Sequence, residues 1–274
     1  MSSEPYEEIV RNWSPEERRQ FPRERHSHFT EIDSTNQFLL ERIRGGETSP
    51  FDLVTADFQT QGRGRRGDRW EAPAGRNLLF SLAIPLPKDP AHWTRLPLIT
   101  AYHVGHAIES VLDDAQILQA KWPNDLLLDE RKLLGILVET SSQENAFAAV
   151  GVGINVNLRE NELPPPLRKT ATSLYEIFGC ESSRWYLLSL ILRNFLRDTS
   201  SVEMSFADAK CWFTERDFLL GKSLQIRSGN RWIDGVGSGI GEGGQLLLRE
   251  ATGTLLEIVS AEEIQGAYQP QGEG

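Results

Sequence analysis

Cysteine is almost absent from this chain: Cys180 and Cys211 are the only two in 274 residues. Two cysteines cannot build the disulfide framework that staples small secreted domains, so a reducing, cytoplasmic setting is expected. Long hydrophobic runs are missing too. No apolar stretch approaches the ~20 residues of a membrane span. The N-terminal MSSEPYEEIVRNWSPEERRQ has no apolar core of the kind a secretory signal carries. Positive charge is scarce, since 29 Lys and Arg against 39 Asp and Glu leave a net charge of −10. A general binder of nucleic acid or of an anionic membrane would carry the opposite sign, so neither partner is expected. The five histidines have no metal-ligand spacing. No Ser-His-Asp or Cys-His pairing can be argued, and there are no repeats or low-complexity tracts.

Against that deficit one stretch stands out. Residues 62–70 read Gly62-Arg63-Gly64-Arg65-Arg66-Gly67-Asp68-Arg69-Trp70, with three glycines and four arginines in nine positions. Glycine lets a backbone take positive φ and approach a ligand closely. Arginine supplies a permanently charged planar fork suited to carboxylates and phosphates. A solvated basic turn would explain the arginines but not the glycines, nor a tryptophan beside so much charge. The stretch reads as a loop that folds around a small anion, with Trp70 placed to cover a planar ligand.

The length allows one large domain and a small one. Residues 1–27 are polar and proline-interrupted, with a short helix expected around Glu16–Arg19 or partial disorder. The span 28–219 reads as α+β. FTEI, FDLVTADF, NLLFSLAIPL, ILQAKWP and AFAAVGVGINVNL are strands, and DLLLD with KLLGILVET forms a hairpin about Glu130-Arg131. QFLLERI follows Ser34-Thr35-Asn36, an N-cap signal. Helices are also expected near 97–113, 183–198 and 203–218. Many strands and few helices predict a mixed sheet with helices packed on one face. Near Gly221 the composition changes to short strands and glycine turns, so 220–268 is expected to form a small β-barrel.

Three further motifs carry chemistry. In Lys121-Trp122-Pro123-Asn124-Asp125 a proline stops a strand, and Lys121, Asn124 and Asp125 gather where α/β folds tend to bind ligands. A lysine there can neutralise phosphate charge and a carboxylate can hold Mg²⁺. Lys132 leads into the apolar run Leu133–Val138, so its ammonium can point into a pocket or simply into solvent. In Gly151-Val152-Gly153-Ile154-Asn155-Val156-Asn157 the glycines permit close approach to a strand, and Asn155 and Asn157 share one strand face. This is not the dinucleotide fingerprint, whose glycine spacing differs and which opens a helix.

Together and in this order, DSTN at 33–36, QTQGRGRRGDRW at 59–70, KWPND at 121–125, KLLGILVE at 132–139 and GVGINVN at 151–157 resemble the biotin–protein ligases. The resemblance covers most of the chain. It implies a catalytic domain of the class II aminoacyl-tRNA synthetase type at 28–219, followed by an SH3-like β-barrel at 220–268. The activity implied is ATP-dependent conversion of biotin to biotinyl-5′-AMP, then transfer of biotin to one lysine on the biotin carboxyl carrier protein or domain of acetyl-CoA carboxylase. Biotin would be met by Ser34, Thr35, Asn36, Gln59, Gly62, Arg63, Gly64, Arg65 and Lys132. ATP would be met by Arg65, Arg69, Trp70, Lys121, Asn124 and Asn155. Arg65, Lys121 and Lys132 would be catalytic, and Asp125 would hold Mg²⁺ brought with ATP. Biotin and ATP are substrates, and no permanently bound cofactor is implied. The protein would be a monomer or homodimer.

Two departures from the family pattern stand out. Asp68 occupies a position where many bacterial relatives have arginine. Its carboxylate would repel phosphates unless Arg66 or Arg69 pairs with it, which leaves Arg69 as the expected phosphate contact. Some relatives also carry a winged helix-turn-helix repressor domain. Only 28 residues precede the first expected strand, so the ligase-only form is expected. The competing readings are a lipoate–protein ligase of related fold, a biotin-responsive regulator without turnover, and a nucleic-acid binder using the basic loop.

Overall fold

The computed structural model describes residues 5–113, 118–141, 147–163, 165–198, 202–229 and 231–266. The N-terminal segment forms two short helices, α1 (Pro5–Ile9) and α2 (Pro15–Gln20), the second closed by a Ser14/Glu17 capping box. The segment is polar in composition yet not detached. Tyr6, Ile9, Val10, Trp13 and Phe21 are buried in the main core. Trp13 Nε1 donates to Ser189 Oγ at 2.6 Å, and Glu17 pairs with Arg193 at 3.1 Å. Five apolar side chains spaced among charges are enough to bind a short segment to a larger surface. No regular period betrays this, because the helices are only five and six residues long.

The body is a seven-stranded sheet. In chain order come β1 (His26–Ile32), α3 (Thr35–Arg44), β2 (Leu53–Gln59), β3 (Leu78–Pro85), α4 (Leu96–Glu109), β4 (Leu118–Lys121), β5 (Asp125–Leu128), β6 (Arg131–Glu139) and β7 (Phe147–Ile154). The order across the sheet is β1-β2-β3-β7-β6-β5-β4, with β1 and β2 parallel and the other pairs antiparallel. Then follow α5 (Leu174–Phe178), α6 (Arg184–Arg197) and α7 (Val202–Glu215). The mixed α+β sheet expected from the sequence is present.

The helices do not all lie on one face, as the sequence had suggested. Strand residues alternate between faces. Leu82, Ile84, Ala148 and Val150 belong to the large core that α4 and α6 cover. Ala83 and Ala149 face the other way and form a second core with Leu39, Leu40 and Ile43 of α3. The small alanines give α3 a seat on that opposite face. Its N-terminus, capped by Ser34, therefore ends above the sheet rather than behind it. This places the candidate site.

Five more strands close the chain: β8 (Ser223–Ser228), β9 (Arg231–Ile240), β10 (Leu246–Arg249), β11 (Leu255–Ile258) and β12 (Glu263–Gln265), ordered β11-β10-β9-β8-β12 and antiparallel throughout. The turn between β9 and β10 docks this sheet on the body. Trp122 Nε1 donates to Gly244 O at 2.9 Å and Thr94 Oγ1 to Gly243 O at 2.7 Å.

Candidate active site

The part of the sheet that α3 leaves uncovered is lined by glycine. Gly151 and Gly153 of β7 lie on the α3 face, and Gly135 of β6 is paired with Gly153 in register. A Cβ on Gly151 would fall 2.6 Å from Asn36 Oδ1, and one on Gly153 would fall 2.5 Å from Trp70 Cε2. The strand glycines thus make room for Asn36 and for an indole laid flat on the sheet. Trp70 Nε1 is buried there without a hydrogen-bond partner among the described residues.

Above this floor is a cavity of about 470 Å³ lined by Ser34, Thr35, Asn36, Gln59, Arg63, Gly64 and Arg65, with Trp70, Asp125 and Lys132 at its far side. Its inner wall is a hydrogen-bond chain. Gln59 Oε1 accepts from Thr35 N at 2.8 Å and from Thr35 Oγ1 at 3.1 Å. Ser81 Oγ lies 2.7 Å from Thr35 Oγ1 and 2.6 Å from Asn36 Oδ1. Asn36 Nδ2 donates to Leu137 O at 3.2 Å and to Glu139 Oε2 at 2.9 Å. Ser81 is fully buried in the centre of β3, where an unpaired hydroxyl would be costly. The chain fixes donors and acceptors at one end of the cavity, a pattern suited to a compact polar head group.

The Gly/Arg loop closes over the opening. It is a small hairpin: Trp70 N bonds Gly62 O and Gly64 N bonds Asp68 O, with Arg66 at φ 58° and Gly67 at φ 87°. Gly62 backs Trp70 rather than lining the cavity, since a Cβ there would sit 2.5 Å from Trp70 O. The arginines reach different elements. Arg63 pairs with Glu139 at 2.9 Å and Arg66 with Glu262 at 3.1 Å. Arg65 Nη1 lies 3.4 Å from Asn124 Oδ1, and Arg69 Nη2 donates to Thr60 O at 3.1 Å. Burial, then the neighbouring Arg66, lower the Arg65 pKa, opposed by Asp125.

A second cavity of about 310 Å³ adjoins the first, sharing Arg69, Trp70, Asp125, Lys132 and Leu167. Lys121 and Asn155 line this one only. Lys132 Nζ bridges to Asp125 at 2.8 Å and stands 5.6 Å above the Trp70 ring. Burial pushes the Lys121 ammonium below its ordinary pKa; Asp125 opposes this, while Lys132 and Lys222 add to it. The far wall is residues 170–172, held to β6 by Lys132 N to Thr170 O and Thr172 N to Lys132 O. Among the described residues no three His, Cys, Asp or Glu side chains group to hold a metal ion.

The expected site residues therefore gather at two linked cavities, but some stand differently from their sequence-based assignment. Asn124, expected at ATP, lines the first cavity and not the second. Its Nδ2 is spent on Ile136 O at 2.7 Å, and its oxygen faces Arg65. Asn155 reaches the second cavity, yet its amide ties Asn77 Nδ2 at 3.1 Å to Thr172 O at 3.0 Å. Asp68 pairs with neither Arg66 nor Arg69; among the described residues it makes no ion pair, and Arg66 turns to Glu262 instead. The sequence reading missed Ser81, Glu139, Asn77, Glu262 and the 170–172 segment. Only Ser81 carried a signal, a lone hydroxyl inside the apolar strand NLLFSLAIPL.

Residues 28–157 match the model of the Biotin/lipoate A/B protein ligase family. The bifunctional ligase/repressor BirA of Escherichia coli K12 is 30% identical over 220 residues, 80% of this chain and 67% of that one. The biotin–[acetyl-CoA-carboxylase] ligase of Paracoccus denitrificans is 30% identical over 241 residues, 85% of this chain and 96% of that one. Among solved structures, the biotin protein ligase from Aquifex aeolicus in complex with biotin and ATP aligns with a TM-score of 0.74 at 31% identity, covering 88% of this chain and 98% of the other.

Proposed function

The chain belongs to the biotin protein ligases of the biotin/lipoate A/B protein ligase family, and from that premise we propose how its two cavities divide the work. The enzyme activates biotin with ATP to biotinyl-5′-AMP and transfers the biotin to a lysine of a carboxylase carrier domain. The first cavity takes biotin, its ureido ring against Thr35, Asn36 and Gln59 with Ser81 behind them. The second takes ATP, with Trp70 between the two ligands and Lys121 at the phosphates. What supports this is the junction itself: Arg69, Trp70, Asp125 and Lys132 line both cavities, with Arg65 on the wall of the first, so a carboxylate from one side faces a phosphate from the other.

In the first step a biotin carboxylate oxygen attacks the α-phosphorus and pyrophosphate leaves. Reactant positioning and fixed positive charge are the levers such a displacement needs. Arg65 and Lys132 supply charge at the new anhydride, and Lys121 supplies it toward the leaving group. Mg²⁺ would enter with the triphosphate, for which one protein carboxylate suffices; Asp125 is the carboxylate both cavities share, and the ion would offset phosphate charge. In the second step the neutral amine of the carrier lysine attacks the acyl carbon. An amide forms, AMP leaves with the C–O electron pair, and the amine gives up a proton. The loop over the first cavity keeps water from the anhydride meanwhile. The C-terminal sheet, read as the SH3-like barrel of the family, closes the site through Glu262.

Pyrophosphate exchange with biotin and with lipoate, followed by labelling of a biotin carrier domain, tests the reading. Exchange that depends on biotin and labels the carrier lysine is expected. Exchange with lipoate alone refutes it.

A further inference from the structure

The mechanism leaves one charged contact without a task. Glu139 ends β6 and does not line either ligand cavity, yet its Oε2 accepts from Arg63 Nη2 and from Asn36 Nδ2, both at 2.9 Å. One oxygen thus joins the arginine loop to the first turn of α3. The bonds that shape the loop, Trp70 N to Gly62 O and Gly64 N to Asp68 O, run within the loop, so they give it form without fixing it to the sheet. Of the contacts that leave the loop, Arg65 to Asn124 is long at 3.4 Å and Arg69 reaches only Thr60 at the loop's own base. Arg66 reaches the C-terminal sheet. Among the described residues Arg63 to Glu139 is therefore the ion pair between the loop and β6, the strand that also carries Lys132 and Gly135.

We propose that Glu139 is a positioning residue that holds the arginine loop shut over the head-group cavity. It does so by fixing Arg63 and, through the same oxygen, orienting Asn36. With Nδ2 of Asn36 held by Glu139 and Leu137 O, its Oδ1 is turned to Ser81, so the carboxylate sets both the lid and the polar end of the cavity beneath it. The ligand side of this inference rests on the biotin reading; the closure itself does not.

Limited trypsin digestion of the ligand-free full chain, with cleavage mapped at Arg63, Arg65, Arg66 and Arg69, tests it. Proteolysis reports the open population when opening is fast. A partly exposed ion pair predicts roughly fivefold faster cleavage of the loop in Glu139→Gln, at an unchanged thermal midpoint. Arg63→Gln, on an accessible loop, is expected to speed cleavage at Arg65 and Arg66 equally. The double variant is expected to add nothing, since both remove one contact. With biotin as the probe, the wild-type loop is protected and biotin leaves Glu139→Gln roughly fivefold faster, by the same loss of closure. Loop cleavage of Glu139→Gln at the wild-type rate overturns the proposal, as does a double variant whose effect is the product of the singles. Failure of biotin to protect the wild-type loop overturns the biotin reading instead and leaves the ligand-free comparison to decide Glu139.

Discussion

Gly151 and Gly153, two residues apart on β7, abut Asn36 and Trp70 respectively, and adding a single methyl to each is expected to separate the two ligands. In Gly151→Ala the new Cβ would sit 2.6 Å from Asn36 Oδ1 and 2.9 Å from its Cγ, where ordinary contact begins at 3.4 Å. The amide must retreat by about 0.8 Å, the difference of those two distances. It has nowhere to go without loss, because Ser81 holds its oxygen at 2.6 Å and Leu137 and Glu139 hold its nitrogen. Overpacking of this kind costs about 1–3 kcal/mol, so the biotin Kd is expected to rise about 5- to 150-fold with the ATP KM little changed. In Gly153→Ala the clash is with Trp70, at 2.5 Å from Cε2 and 2.8 Å from Nε1. The indole must lift from the floor between the cavities, so there the ATP KM rises. Calorimetric titration with biotin in the absence of nucleotide, beside initial rates at varied ATP, measures both. Biotin binding to Gly151→Ala at the wild-type Kd refutes the reasoning, and so do two variants that weaken both ligands alike.

Arg65→Gly is expected to let biotinyl-adenylate escape, so that bystander lysines are labelled; a mutant that retains the adenylate as long as wild type in a trapping assay refutes this. Asp68→Asn should leave the ATP KM within about twofold, because Asp68 is exposed and lines the first cavity and not the second, and an exposed charge is screened by salt; a larger shift puts it in the phosphate path. Stability should fall on acidification below about pH 6.5. Burial first of all holds His26 at a pKa of about 3 and His103 at about 4, both below the ordinary 6.5. The unfolded chain takes up protons there that the folded chain refuses, which costs about 1.4 kcal/mol per pH unit for each histidine. Urea midpoints that stay flat between pH 6.5 and 5 refute it.

What could be read from the sequence was whatever repeats over several residues or is chemically unusual. The apolar run LLFSLAI, ended by a proline, and the capped helix after Ser34 were legible as a strand and a helix, because each is written in neighbouring side chains. The arginine loop was legible as a ligand cradle because its composition makes poor sense as a bare turn. The α3 face was not legible. It follows from Ala83 and Ala149 being small enough to seat a helix, and those two residues are 66 positions apart in the sequence. Glu139 hid for the same reason. A carboxylate at a strand end looks solvated until the fold brings Arg63 and Asn36 to one of its oxygens.

The four loop arginines are equal in the sequence and unequal in the fold, which resolves how an acidic protein can present a basic loop. Arg63 and Arg66 face carboxylates, so much of their charge is answered within the protein. Among the described residues the hydrogen bonds of Arg65 and Arg69 go to neutral oxygens, of Asn124 and Thr60, and Asp125 acts on Arg65 through space without pairing with it. A neutral acceptor orients a guanidinium without cancelling its charge, so these two keep an electrostatic pull on an incoming anion. On the proposed function, the same loop splits into a pair held by carboxylates and a pair left to the ligand. The split also explains why the net charge of −10 does not defeat the site. Glu139 and Glu262 answer two of the loop arginines, which leaves Arg65 and Arg69 without an ion pair among the described residues, Arg65 at the first cavity and Arg69 at both.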